Sequence, residues 1–167
     1  IRIPRGLREQ LINNCKEACI EYEISDQREM GRPIRVFFNG DLRTEQDLVA
    51  NRMLQHDHGV LSATTAFGKT VVCSYLISQR KVSTLILLHS KDLIEQWVEE
   101  LNKFLIIKEK PAIYKTKTGR EKRRDSVIGV LTGNKNTITG IVDVAMIGSM
   151  YSKGKFNDFI NSYGLVI

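Results

Sequence analysis

Gly59-Val60-Leu61-Ser62-Ala63-Thr64-Thr65-Ala66-Phe67-Gly68-Lys69-Thr70-Val71-Val72 is the stretch on which the fold turns. Val60 to Ala63 reads as a strand, and Lys69 to about Ser78 reads as a helix with apolar positions at Val71, Val72, Tyr75 and Leu76. Between them lies a glycine-containing turn ending in a lysine and a hydroxyl. That order of parts suits the polyphosphate of a nucleotide. Loop amides and the first helical turn present N–H groups, and the helix N-terminus adds partial positive charge. Lys69 would reach the β/γ-phosphates, and the Thr70 hydroxyl would ligate Mg²⁺. Gly68-Lys69-Thr70 alone is weak evidence, since an ordinary βα turn with an exposed lysine carries the same letters; the strand before and the helix after give it weight. The general pattern G-x-x-x-x-G-K-[ST] starts with glycine where this chain has Ala63.

Working outward, the pattern alternates. Residues 5 to 22 repeat Leu7, Leu11, Ile12, Cys15, Ala18 and Cys19 at helical spacing, which places the two cysteines on one face. Ile34 to Phe38 reads as a short strand ended by Asn39-Gly40, and a helix runs from Thr44, a suitable N-cap, to about Gln55. Downstream, Thr84 to Leu88 is a continuous apolar strand of the kind buried in a parallel sheet. Lys91 to about Leu105 reads as a helix with Leu93, Ile94, Trp97, Leu101 and Phe104 on one face, Trp97 belonging to the core. Residues 107 to 126 read as irregular. Val127 to Leu131, Ile141 to Ile147 and Gly164 to Ile167 read as strands, with a helix near Phe156 to Asn161. Repeated strand–helix units predict an α/β fold with a parallel sheet and helices on both faces.

The 167 residues suit one domain with a sizeable core. Apolar residues make up 42% and charged residues 26%, as in ordinary globular chains, and no apolar run approaches the roughly 18 residues of a membrane span. Cys15, Cys19 and Cys73 form no disulfide framework, so reduced thiols and a cytoplasmic location are the expectation. His56 and His58 flank Asp57 in a predicted loop, and no Cys/His set has zinc spacing. The net charge of +6 leans toward a polyanionic partner. Part of the excess is local: Lys115, Lys117, Arg120, Lys122, Arg123 and Arg124 crowd together around Glu121. The stretch is either a solvated loop or an arm that grips phosphates without reading sequence.

Four segments then carry a resemblance to superfamily 2 DEAD/DEAH-like helicases. Leu42-Arg43-Thr44-Glu45-Gln46 resembles their L-R-x-x-Q element, and Ala63 to Thr70 has their A-x-x-x-x-G-K-T form of the phosphate loop. Thr84-Leu-Ile-Leu-Leu-His-Ser-Lys-Asp-Leu93, followed by Gln96-Trp97, resembles motif Ia, and Ile141 to Met150 resembles the strand of motif Ic. The likeness is to the type III restriction enzyme Res-subunit branch, and Gly59 to Val72 is especially similar to helicases of bacterial conflict systems (the TOTE group). Pro4-Arg5-Gly6-Leu7 and Asp26-Gln27-Arg28-Glu29-Met30-Gly31 also resemble sequence that precedes the motor in that group.

The resemblance implies a P-loop, RecA-like sheet: residues 1–40 as a short α/β leader and 41–167 as the first RecA-like domain, incomplete and truncated before the end of the Walker B strand. It implies ATP with Mg²⁺, a DNA or RNA track, a second RecA-like domain and no membrane. Gln46 would bond the adenine edge, with a polar helix face as its plainer role, and Arg43 would lie near the base. Thr65, Ala66, Phe67, Gly68, Lys69 and Thr70 would wrap the phosphates. Ser90, Lys91, Thr132 and Gly133 would touch the nucleic-acid backbone. His89 and Met146 depart from the family's usual residues, and Phe67 is bulky for such a loop. The chain begins at Ile1 and stops just before the expected D-E-x-H or D-E-x-D, so it reads as a piece of a longer ATP-dependent helicase or translocase, inactive alone. Two other classes fit parts of the pattern. A small-molecule kinase or another P-loop ATPase explains Gly68 to Thr70 but not Leu42 to Gln46. A basic nucleic-acid-binding module without chemistry explains only the 115–124 stretch.

Overall fold

The computed structural model describes residues 5–25, 29–116, 118–152 and 154–167. Pro4, Asp26 to Arg28 and Lys117, singled out above, lie outside them. The helices are α1 (Arg8–Glu17), α2 (Thr44–Leu54), α3 (Lys69–Arg80) and α4 (Lys91–Phe104). The strands are β1 (Val36–Phe38), β2 (Thr84–Leu88), β3 (Leu105–Ile107), β4 (Ile113–Lys115), β5 (Glu121–Arg123), β6 (Ile128–Leu131), β7 (Val142–Met146), β8 (Tyr151–Ser152), β9 (Lys155–Phe156) and β10 (Leu165–Val166).

The expected parallel sheet is present, with flanking helices: β10, β2, β7 and β6 lie side by side in that order, all parallel. Their side chains alternate between two cores. Ile86 in β2 and Val142 and Val144 in β7 face α3 and α4, where Ile77, Ile94 and Leu101 meet them. Leu85 and Ala145 face the other way, onto Met150 and Tyr163, in a core whose margin includes Phe159 and Ile160. The α-helical layer therefore packs on one face only; two 3-10 segments, Ile147–Met150 and Asp158–Ser162, cover the opposite one. The expected helix near residue 156 is the second of these. Each fully buried Ile or Leu in these cores contributes about 1.5–3 kcal/mol.

α2 packs outside α3 through Ala50, Val72 and Leu76. Arg80 fixes that docking by donating to the Leu54 and His56 carbonyls at the end of α2. The end of the segment expected as a leader enters the core: Ile34 and Val36 are buried, and β1 pairs antiparallel with β3. Upstream, α1 stops at Glu17, so Cys19 is not on its face but beyond it, at a φ of 52°.

Two strand readings change. Residues 60–63 form no ladder, and Val60 is 95% exposed. Within this run, Leu61 packs at the margin of the α2–α3 core. A strand needs a partner's edge, which local sequence cannot supply. Conversely, the basic stretch is not irregular: β4 and β5 form an antiparallel hairpin, closed by Thr116 N–H to Arg120 C=O (2.8 Å) and by Gly119 at a φ of 79°.

The link from β6 to β7 has no helix, unlike most parallel crossovers. After a turn at Thr132–Lys135 the chain runs back along β6, where Thr137 N–H donates to the Val130 carbonyl and Val130 N–H donates to Thr137 Oγ1. Thr139 and Gly140 then give their N–H groups to Asp143, at 2.8 and 2.7 Å.

Candidate nucleotide and nucleic-acid sites

The phosphate loop is built from both its own backbone and α2. Ala66 and Gly68 adopt left-handed φ values of 65° and 84°, which wind the loop tightly before α3. A Cβ on Gly68 would lie 2.5 Å from Gln46 Nε2, so glycine is required there for contact as well as conformation. Gln46 is buried in the first turn of α2. Its Oε1 accepts from Arg43 N–H (3.0 Å) and its Nε2 donates to the Phe67 carbonyl (2.7 Å). Arg43 Nη2 donates to the same carbonyl and approaches that of Ala66 at 3.5 Å. Arg43, not Thr44, thus occupies the N-cap position, and Gln46 does the capping.

This has a geometric consequence. A planar trans peptide places C=O and N–H on opposite sides. With the Phe67 carbonyl held toward α2, the Gly68 N–H is aimed away from α2. The Phe67 ring packs on the α2–α3 core, so its bulk stays out of the loop. Lys69 Nζ lies over the loop, donating to the carbonyls of Ala63 (2.8 Å) and Thr64 (2.9 Å). Thr70, half-buried, follows Lys69 in the first turn of α3, and Thr65 is exposed. The leading N–H groups of α3 have no side-chain cap, because Gly68 stands at the N-cap. Lysine, hydroxyl and a helix N-terminus without a side-chain cap thus lie together at this loop. Gln46→Ala removes two bonds from a buried amide and frees the Phe67 carbonyl. It is expected to lower stability by about 1–3 kcal/mol in urea unfolding and to weaken nucleotide binding.

The second group lies at the C-terminal ends of the sheet strands. Ser90 caps α4, its hydroxyl accepting from Leu93 N–H at 3.4 Å. Lys91 begins α4, Thr132 and Gly133 follow β6, and Met146 ends β7. Lys91, Thr132, Gly133 and Met146 share one open groove of about 670 Å³. Sequence reasoning missed its other charged walls, Glu95, Glu99 and Lys135. Helical spacing from Lys91 already places both glutamates on its side of α4.

The third group stands apart. The hairpin of β4 and β5 leads into the N-terminal end of β6, so its cations do not join Lys91 and Thr132. Lys115, Arg120, Lys122 and Arg123 are exposed, while Arg124 is half-buried with its guanidinium 4.1 Å from the Tyr114 ring centre.

Also missed was Asp143, fully buried, with Thr139 N–H and hydroxyl, Gly140 N–H and the Tyr163 hydroxyl all donating to it. A charged residue interrupting an otherwise apolar strand was the available signal. Burial pushes the Cys73 thiol up to about 11, which leaves it unreactive at neutral pH. Among the described residues no cluster of three His, Cys, Asp or Glu could hold a metal, and no helix is long and apolar enough to cross a membrane.

Comparison with known proteins matches residues 9–162 to the family described as type III restriction enzyme, res subunit. The protein named "Putative helicase 109L" of Invertebrate iridescent virus 3 is 42% identical over 72 residues, 41% of this chain and 22% of that protein. The "DNA 3'-5' translocase XPB2" of Sulfurisphaera tokodaii is 38% identical over 65 residues, 39% of this chain and 15% of that protein. "Putative helicase 161L" of Invertebrate iridescent virus 6 is 25% identical over 134 residues, 78% of this chain and 27% of that protein. The chain thus spans at most about a quarter of the length of these relatives.

Proposed function

The chain belongs to the type III restriction enzyme res-subunit family, within the superfamily 2 helicases, and from that premise we propose that it is the ATP-binding part of a nucleic-acid motor. Residues 41–167 carry the first RecA-like domain, and the leader, 1–40, ends inside its core through Ile34 and Val36. The observation that carries this reading is the docking of Arg43 and Gln46 onto the Phe67 carbonyl. It ties the Leu42–Gln46 segment to the phosphate loop, a link that a generic kinase reading leaves without a purpose.

ATP with Mg²⁺, when bound, supplies the phosphoanhydride bond to be cleaved. Thr70 would hold the ion through its hydroxyl, and Lys69 would exchange its two loop carbonyls for phosphate oxygens. Gly68 N–H and the first amides of α3 would face the same charge. Arg43 and Gln46 keep the Phe67 carbonyl turned away, so that the Gly68 N–H is arranged before the anion arrives. Lys91, Thr132 and Gly133 would hold a DNA or RNA backbone in the groove at the strand ends, positioning it without reading bases.

No Asp-Glu pair occurs in the 167 residues, so the carboxylates that orient the attacking water are expected elsewhere in the full-length protein, along with a second motor domain. The test is a phosphate-release assay on that protein with single-stranded DNA, duplex DNA and RNA in turn. At least one is expected to stimulate turnover about tenfold or more, with residues 1–167 alone nearly inert. No stimulation by any of them, or full turnover by the 167-residue piece, would overturn the reading.

A further inference from the structure

The hairpin is a strongly charged feature that the motor chemistry leaves unused. Its register pairs Ile113 with Arg123, Tyr114 with Lys122 and Lys115 with Glu121. The ladder continues on both sides through Arg124 N–H to the Ala112 carbonyl and Thr116 N–H to the Arg120 carbonyl, each 2.8 Å. Directly opposed residues share a face, and faces alternate along each strand. One face therefore carries Tyr114, Arg120, Lys122 and Arg124, with no acid. The other carries Ile113, Lys115, Glu121 and Arg123, where Glu121 lies directly across from Lys115.

The two faces differ in more than charge. On the first, Arg124 lies against the Tyr114 ring, and its buried Nε has no hydrogen-bond partner among the described residues. The aromatic ring fixes the guanidinium in place. With Arg124 over the ring, Tyr114 orients a cation instead of stacking a base. At the hairpin's root, Glu109 accepts from Arg35 N–H at 2.9 Å, and the Arg35 side chain lies 3.6 Å from the same carboxylate oxygen. That bond and the neighbouring charge of Arg35 hold the Glu109 carboxyl below the usual range. The hairpin is thus tied to the residue before β1, and among the described residues its strands pair only with each other. It leaves the sheet at the N-terminal end of β6, opposite the groove that follows the C-terminal ends of β2, β6 and β7.

We infer that the hairpin is a second phosphate-backbone contact, separate from the motor groove, made by the Tyr114, Arg120, Lys122 and Arg124 face and not by the Lys115 and Arg123 face. This rests on the nucleic-acid reading above and adds to it a place and a direction. A nucleic acid held in the groove and again at the opposite end of the sheet is gripped along a longer path. The second grip is salt-sensitive and blind to sequence.

The experiment compares two variants of the full-length protein with equal charge change: Arg120→Gln with Lys122→Gln, and Lys115→Gln with Arg123→Gln. All four side chains are exposed, so the fold tolerates both pairs. Affinity for a fluorescein-labelled oligonucleotide is measured across a salt series, single-stranded in one arm and duplex in the other. The first variant is expected to lose about tenfold in affinity and to flatten the salt slope by about 1.4–1.8, the second to stay within about twofold. Equal losses, which net charge alone explains, or a loss confined to the second variant, would overturn the assignment. If neither variant loses affinity while the unmodified protein binds and its ATP turnover is stimulated, the hairpin contact falls and the motor reading stands. No binding by the unmodified protein overturns both.

Discussion

Lys69→Ala in the full-length protein is expected to lower nucleic-acid-stimulated ATP turnover by about 10²–10³-fold, the usual cost of removing one donor aimed at developing charge. The side chain is exposed and its Nζ bonds two loop carbonyls that water can satisfy, so the urea unfolding midpoint should not move. Oligonucleotide affinity without ATP should also survive, because Lys69 lies outside the groove of Lys91 and Thr132. Lys69→Arg is not a rescue: a planar fork does not replace a compact ammonium in a tight loop. Turnover within about twofold of the unmodified protein would remove Lys69 from phosphoryl transfer.

The largest effect on stability is expected at Asp143. The carboxylate is fully buried and takes four hydrogen bonds, two of them from Thr139. Asp143→Ala leaves the Thr139 and Gly140 amides and the Tyr163 hydroxyl without an acceptor. The expected loss is about 3–5 kcal/mol by urea unfolding, and a loss under about 1 kcal/mol would show that the staple carries nothing. Gly129→Ala attacks the same contact from the other side, since its Cβ would stand 1.9 Å from Asp143 Oδ1 and 2.6 Å from the Thr137 carbonyl.

The staple also has a pH signature. Burial first, then the Asp143 charge and its hydrogen bond, push the Tyr163 hydroxyl far above the usual phenol range. The folded state therefore keeps a proton that the unfolded chain releases near pH 10. The contribution of Tyr163 is complete below that pH. It is lost as pH rises further, at about 1.4 kcal/mol per pH unit. Tyr163→Phe should remove that part of the alkaline slope in a series of unfolding curves, and an unchanged slope would contradict the linkage.

The elements readable from periodicity were those whose burial is one-sided or complete over several residues. β2 runs Thr84–Leu88 as the apolar run indicated, and α4 ends at Phe104, within a residue of the expectation. The turn into α3 was legible because its demands are local: a left-handed residue at Gly68 and a helix that starts at Lys69. The basic hairpin was not legible as β-structure, because Glu121-Lys122-Arg123 has low strand propensity and is paired only by the turn at Thr116–Arg120.

What the amino-acid order determined by itself was the α/β character of the chain, the parallel sheet and the main helices α2, α3 and α4, since each follows from side-chain type at short range. Tertiary structure alone decided three further things. It placed Gln46 and Arg43 on the Phe67 carbonyl, joined Asp143 to Tyr163 beneath a crossover that has no helix, and set the hairpin at the far end of the sheet from Lys91 and Thr132. These are contacts between residues far apart in the chain. Their geometry depends on how the layers stack, and no local preference of backbone or side chain encodes a distance across a fold.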